Sequence, residues 1–83
     1  MTPYRIVLMK PARKFIERQP RDQQERLLKA IYRLPHEGDV KLLAGHKNVY
    51  RLRVGDYRVI YSIAASVLTV EVMTIGNRGD VYK

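Results

Sequence analysis

The stretch Asn48–Ile63, NVYRLRVGDYRVIYSI, decides how this 83-residue chain folds. Two runs rich in β-branched and aromatic residues flank Gly55-Asp56, the pattern of a hairpin closed by a two-residue turn. Glycine in the first turn position suits a turn that needs positive φ there. Such a turn pairs Val54 with Tyr57, Arg53 with Arg58, Leu52 with Val59, Arg51 with Ile60 and Tyr50 with Tyr61. Side chains alternate across a strand, so Tyr50, Leu52, Val54, Tyr57, Val59 and Tyr61 share one face. Arg51, Arg53 and Arg58 share the other.

The arginine face is the informative one. Like charges placed directly opposite each other destabilise a sheet, yet this register sets Arg53 across from Arg58 with Arg51 beside them. A solvated face would account for charged residues here, but such a face mixes signs and this one does not. Converging guanidiniums match the geometry and charge of a phosphate, which makes the face a candidate anion site.

Upstream of the hairpin, Tyr4–Met9 (YRIVLM) is an apolar run of strand length. Pro11 fits the first turn of a helix, where its missing N–H costs nothing. Ala12, Phe15 and Ile16 follow at helical spacing, with Lys10, Lys14 and Arg18 along another face. Pro20 breaks this helix and starts a second, in which Asp22 suits the positive end of the helix dipole. The second helix is expected to run to about Leu34, before Pro35. Its core stripe is Leu27, Leu28, Ile31 and Leu34. Arg26, Lys29 and Arg33 face outward, balanced in part by Asp22 and Glu25 at i,i+4 spacing. His36–Lys47 reads as a loop anchored by Leu42 and Leu43.

Downstream, Ala64–Val67 makes another turn and Leu68–Ile75 (LTVEVMTI) alternates as a strand. A two-residue loop at Ala65-Ser66 pairs Tyr61 with Val70 and Val59 with Val72. It also brings Glu71 beside Ile60, within the arginine patch, where it reads as a charge-balancing partner for Arg51 or Arg58. Arg78 follows the end of this strand and can join the arginine face. The expected class is α+β: an N-terminal strand, a two-helix hairpin, then a three-stranded antiparallel meander, all in one sheet.

Length and composition bound the rest. Eighty-three residues suffice for a single domain spanning 1–83 and for a modest core. With no cysteine, disulfides and thiolate metal sites are excluded. His36 and His46 lie ten residues apart without a metal-binding pattern, so no metal site and no cofactor are expected. No apolar run reaches the ~18 residues of a membrane span, and the expected location is the cytoplasm. Sixteen basic against eight acidic side chains give a net charge of +8, which points to a polyanionic partner and to nucleic acid before membrane. Residues 1–47 carry eleven basic and five acidic side chains, against five and three in 48–83. A broad basic footprint thus lies apart from the focused arginine site.

YRLRVGDYRVIY, Lys41–Gly45 (KLLAG) before it, and the terminal Gly-x-Arg followed by Val-Tyr resemble the RelE family of toxins in type II toxin–antitoxin systems. The resemblance covers nearly the whole chain and implies a RelE-like, microbial-ribonuclease-like fold. It implies a small basic endoribonuclease that enters the ribosomal A site, cuts translated mRNA, and is silenced by a cognate antitoxin. Carried over residue by residue, the family's catalytic positions are Arg51, Arg53, Arg58, Arg78 and Tyr82. Active members often hold lysine at the first two, where this chain has arginine. Lys29, Arg33, Lys41 and Lys47 are the candidate RNA-binding cations.

The implied reaction is attack of a 2′-hydroxyl on the adjacent phosphorus with departure of the 5′-oxygen. Preorganised cations stabilise the charge that grows on the phosphoryl oxygens. Arginine stays protonated and is a poor base. Tyr82, whose phenolate neighbouring arginines would favour, is the candidate base, orienting group or stacking platform. Two other readings stand beside this one. A ParE-like toxin shares the fold but poisons DNA gyrase, and a non-catalytic RNA-binding or antitoxin-sequestered module needs no chemistry at all.

Overall fold

The Gly55-Asp56 turn sets the centre of the sheet. In the computed structural model, which describes residues 3–43, 45 and 47–77, strand β3 (Val49–Val54) pairs antiparallel with β4 (Tyr57–Ala64). The register is the expected one, from Val54 opposite Tyr57 to Tyr50 opposite Tyr61. Gly55 has φ +59°, the left-handed region that glycine enters without penalty.

Before the hairpin come β1 (Arg5–Leu8), α1 (Lys10–Glu17), α2 (Arg21–Ile31) and β2 (Asp39–Leu42); after it comes β5 (Thr69–Asn77). The strands form one five-stranded sheet in the order β1-β5-β4-β3-β2. β1 lies parallel to β5, with Ile6 opposite Val70 and Leu8 opposite Val72. The fold is therefore α+β with two helices, as expected, but the sheet gains a strand. The segment read as the loop His36–Lys47 contains β2, which pairs antiparallel with β3. Asp39-Val40-Lys41-Leu42 alternates polar and apolar over four residues, too short a run to stand out beside the glycines that bracket it. Gly38 at φ +126° starts the strand, and an added Cβ there would lie 2.7 Å from Leu52 Cδ1. Leu42 does not anchor this segment; it is 53% exposed, on an edge strand. Both edges, β1 and β2, are four residues long and carry a basic side chain, devices that discourage edge-to-edge pairing.

The helices cover one face of the sheet. Ala12 and Ile16 of α1, Leu27 and Ile31 of α2, and Leu34 pack on Leu52, Val54, Val59, Tyr61, Val70, Val72 and Ile75. α1 lies against β5 and α2 against β3. Phe15 meets the Tyr57 ring edge-on at 5.8 Å, and the Tyr57 hydroxyl donates to Gln19 Oε1 at 3.1 Å. The amide of Gln24 donates to the carbonyls of Gln19 and Glu17, capping the end of α1 that would otherwise lack partners. α2 ends at Ile31, three residues before the expected Leu34. Arg33 N bonds to Ala30 O and Leu34 N to Ile31 O, so the chain tightens into shorter turns as it nears Pro35. Among the described residues no helix is long and apolar enough to cross a membrane.

The β4–β5 connection departs from expectation. The loop is not the two residues Ala65-Ser66 but Ala65–Leu68, a 3₁₀ turn closed by Leu68 at φ 48°. Ala64 therefore faces Thr69, and Ile63 rather than Tyr61 faces Val70. A bulge follows: Tyr61 lies opposite Val72 but Ile60 opposite Thr74, leaving Met73 as the extra residue. One extra residue flips every later side chain to the other face. Ile75 thereby turns into the core, 5% exposed, and Val59 faces it rather than Val72.

Candidate active site

The sheet face opposite the helices carries Arg51 and Arg53 from β3 and Arg58 from β4, with Arg53 and Arg58 directly paired. Opposing like charges cost roughly 0.2–1 kcal/mol. Each fully buried aliphatic side chain on the far face contributes about 1.5–3 kcal/mol, and Leu52, Val54 and Val59 are all buried there. The core therefore holds the arginines in register with a wide margin. On β5, Gly76 lies opposite Arg58 and brings no side chain against it.

β2 adds two groups that the sequence reading missed or left apart. Lys41 pairs with Arg51 and Asp39 with Arg53. Asp39 Oδ1 lies 3.9 Å from Arg51 Nη2, long for an ion pair, and this aspartate is 63% exposed. The Arg51 side chain is only 15% exposed, and its Nε makes no hydrogen bond among the described residues. Asp39 thus stands beside Arg51, Arg53 and Lys41, and Asp56 lines the hairpin tip with Arg53 and Arg58. The missed signal was the alternation of Asp39 through Leu42.

At the hairpin tip Arg53, Gly55, Asp56 and Arg58 line a cleft of about 270 Å³. Glu71 is not part of this patch. The four-residue loop carries it to Ser62, whose hydroxyl donates to Glu71 Oε1 at 3.4 Å. Ser62 is four residues along β4 from Arg58, about 13 Å at ~3.3 Å per residue. The remaining candidates divide. Lys47 is exposed just before β3, near the arginine strand in sequence. Lys29 and Arg33 belong to the helix side: Lys29 shares a cleft with Asp22, Glu25 and Arg26, and Arg33 one with Tyr4, Tyr32 and His36. The expected i,i+4 pairs Asp22–Arg26 and Glu25–Lys29 do not form within 4.0 Å. Arg78, Tyr82 and His46 lie outside the described residues. Among those described, no group of three or more His, Cys, Asp or Glu is placed to hold a metal ion.

Chemically the face can bind and neutralise a phosphate. Its described members are three guanidiniums, one ammonium and two exposed carboxylates, Asp39 and Asp56, an excess of positive charge suited to charge stabilisation. Tyr61, the most buried of the described tyrosines, points away from it into the core, where burial and then the neighbouring Tyr50 push its phenol up to about 12. Those two rings stack at 5.5 Å.

Residues 6–82 match the family described as the ParE toxin of type II toxin–antitoxin systems. The chain belongs to this family, within the RelE/ParE superfamily of type II toxins. Its fold agrees. A chain of the archaeal RelE–RelB complex from Pyrococcus horikoshii is 29% identical, with a TM-score of 0.76 over 95% of this chain and 99% of that one. The toxin–antitoxin complex RelBE2 from Mycobacterium tuberculosis gives 23% identity and a TM-score of 0.78, over 96% and 97% of the two chains. The isolated Escherichia coli RelE toxin gives 23% and 0.75, over 95% and 90%. No curated protein sequence matches the chain.

Proposed function

We propose that this toxin is a ribosome-dependent endoribonuclease that cuts translated mRNA in the A site. The observation that carries the reading is the cation cluster of Arg51, Arg53, Arg58 and Lys41, which outnumbers the two exposed carboxylates beside it, Asp39 and Asp56. In the proposed reaction the 2′-hydroxyl oxygen bonds to the adjacent phosphorus and the bond from phosphorus to the 5′-oxygen breaks. Negative charge grows on the non-bridging oxygens, where fixed guanidiniums contribute several kcal/mol. Arg51, Arg53 and Arg58 act there, joined by Arg78, with Tyr82 as base or base-orienting group. A site with so little acid–base capacity depends on its surroundings to align the attacking oxygen, a task assigned here to the ribosome. Three further solved relatives of this fold are RelB–RelE or RelBE pairs or a RelE–RelBc peptide complex, so a cognate antitoxin is the proposed protein partner.

A second reading has its own support, because the matching family is that of ParE toxins. On that reading the target is DNA gyrase and no RNA is cut. Primer extension on translated mRNA after induction of this chain alone separates the two. Cleavage inside translated codons is the expected result. Growth arrest with intact mRNA and gyrase trapped on DNA would overturn it.

A further inference from the structure

Arg26 leaves the acidic neighbours that its helix provides. No carboxylate lies within 4.0 Å of its guanidinium among the described residues, although Asp22 and Glu25 stand on the same stretch of α2. The side chain reaches instead to the hairpin tip. An added Cβ at Gly55 would meet Arg26 Nη2 at 2.8 Å, Nη1 at 3.0 Å and Cζ at 3.1 Å. Cζ is hardly farther than the two nitrogens, so the flat face of the guanidinium rests on the glycine. Gly55 is thus required twice, for its φ of +59° and for the bare surface that Arg26 occupies. A guanidinium seated by its face keeps the N–H donors around its edge available to a ligand.

Gly55 is also a wall of the cleft lined by Arg53, Asp56 and Arg58. Arg26 therefore brings a third guanidinium to the rim of that cleft, from the opposite side of the sheet. The cleft, about 270 Å³, has room for a phosphate group. Beyond Arg26 the surface changes character. The adjoining cleft pairs Arg26 and Lys29 with Asp22 and Glu25, so its charges cancel and a phosphate chain gains nothing by continuing.

We propose that Arg26 is an RNA-binding residue, holding a phosphate next to the scissile one where a single strand crosses the arginine face and leaves over the tip at Gly55. This rests on the reading of the protein as one that binds RNA. Arg26 has no part in the chemistry; it fixes the strand's exit and so its register across Arg53 and Arg58. The planar fork suits a phosphodiester better than an ammonium would.

The test is binding of a fluorescent single-stranded RNA, made uncleavable by 2′-O-methylation, to the full chain over a salt series. Arg26→Ala should weaken binding about tenfold, equivalent to ~1.4 kcal/mol. It should also lower the slope of log K against log salt by about 0.7, the contribution of one phosphate contact on a single strand. Arg26→Lys should keep the slope and recover part of the affinity. Arg5→Ala removes the same charge from an exposed site on β1, the far edge of the sheet. Arg5 aligns with Thr69 and so with Ala64, nine residues along β4 from Gly55, about 30 Å at ~3.3 Å per residue. That is well beyond a Debye length of ~8 Å, so Arg5→Ala should leave both quantities unchanged. An unchanged slope in Arg26→Ala, or an equal loss in Arg5→Ala, would overturn the assignment while leaving the RNA reading in place. Failure of the unaltered chain to bind the RNA would also overturn the assignment, whereas the RNA reading itself falls only if primer extension finds translated mRNA intact.

Discussion

On one face of the β3–β4 hairpin Leu52, Val54, Val59 and Tyr61 are buried against two helices; on the other, Arg53 stands opposite Arg58 with Arg51 and Lys41 alongside. Adjacent residues of the same strand thus serve opposite ends. The period of two keeps them apart, since a change on one face need not disturb the other. The apolar face supplies the stability that allows the arginine face to hold charges it would not otherwise keep together. The comparison predicts that substitutions one residue apart fail in different assays.

The largest effect belongs to the apolar face. Leu52→Ala should cost about 2–5 kcal/mol of stability, the range for a buried leucine that leaves a cavity. Leu52 is 1% exposed and packs close to the chain at Gly38. Denaturant unfolding should show the loss directly, and any fall in toxicity should track the folded fraction. A cost below 1 kcal/mol would mean that the apolar face is not what holds the register.

Arg58→Ala should do the reverse. Its single-turnover cleavage rate on the ribosome should drop by on the order of 10²-fold, by analogy with removal of a preorganised electrostatic stabiliser. Stability should fall by much less than in Leu52→Ala, because relief of the like-charge pair with Arg53 offsets part of what the guanidinium's own contacts supply. If Arg58→Ala lost only ribosome affinity, with its rate restored at saturation, the arginine face would be a docking surface and not a catalytic one.

The two hairpins of the sheet show why part of this was readable in advance. Gly55-Asp56 admits one tight turn, so the β3–β4 register and the arginine cluster follow from residue order alone. The β4–β5 connection offers no such punctuation: Ala65, Ser66, Val67 and Leu68 fit a two- or a four-residue loop equally well. The bulge at Met73 then depends on whether Ile75 or Thr74 is buried, a question of packing against the helices. The loop length misplaced Glu71, and the bulge set which of Thr74 and Ile75 is buried. β2 was hidden because four residues carry too little periodicity, and Asp39 and Lys41 were hidden with it as neighbours of Arg53 and Arg51. Arg26 is exposed, as expected, but the i,i+4 rule paired it with Asp22, and that rule's energy of roughly 0.2–0.5 kcal/mol is too small to outweigh a tertiary contact. The end of the last strand suggested Arg78 and the family resemblance supplied Tyr82; both positions lie outside the described residues.

Tyr61 sharpens the comparison through pH. Its phenol belongs to the apolar face, and its hydroxyl makes no hydrogen bond among the described residues. Burial raises its pKa from 10.0 to about 12. Below pH 10 both native and unfolded chains keep the proton. Between there and about 12 the unfolded chain releases it first, so the native state holds more protons and stability falls as pH rises. A shift of this size is worth about 2–3 kcal/mol. Tyr61→Phe should remove this part of the alkaline loss while leaving stability near neutral pH unchanged or slightly higher. Parallel alkaline slopes for the two proteins in denaturant titrations from pH 9 to 12 would show that the phenol ionises as readily folded as unfolded.

The smallest expected effect distinguishes two lysines of equal formal charge. Lys41 is exposed on β2 beside Arg51, on the face proposed to meet RNA. Lys29 sits on the helix side in a cleft with Asp22 and Glu25, whose carboxylates oppose any phosphate that approaches it. Each true phosphate contact contributes about 0.9 to the slope of log K against log salt on a duplex and ~0.7 on a single strand. Lys41→Ala should therefore flatten the salt dependence of ribosome binding by close to one contact, with affinity falling most at low salt. Lys29→Ala should flatten it by less, and Lys29→Ala combined with Arg33→Ala should still weaken binding, since Arg33 lies away from those two carboxylates, in a cleft where Glu37 stands with Tyr4, Tyr32 and His36. None of these changes should alter the cleavage rate at saturating ribosome. If Lys29→Ala flattened the slope more than Lys41→Ala, the helix side would be the principal ribosome contact, and the arginine face would act on a strand delivered to it from there.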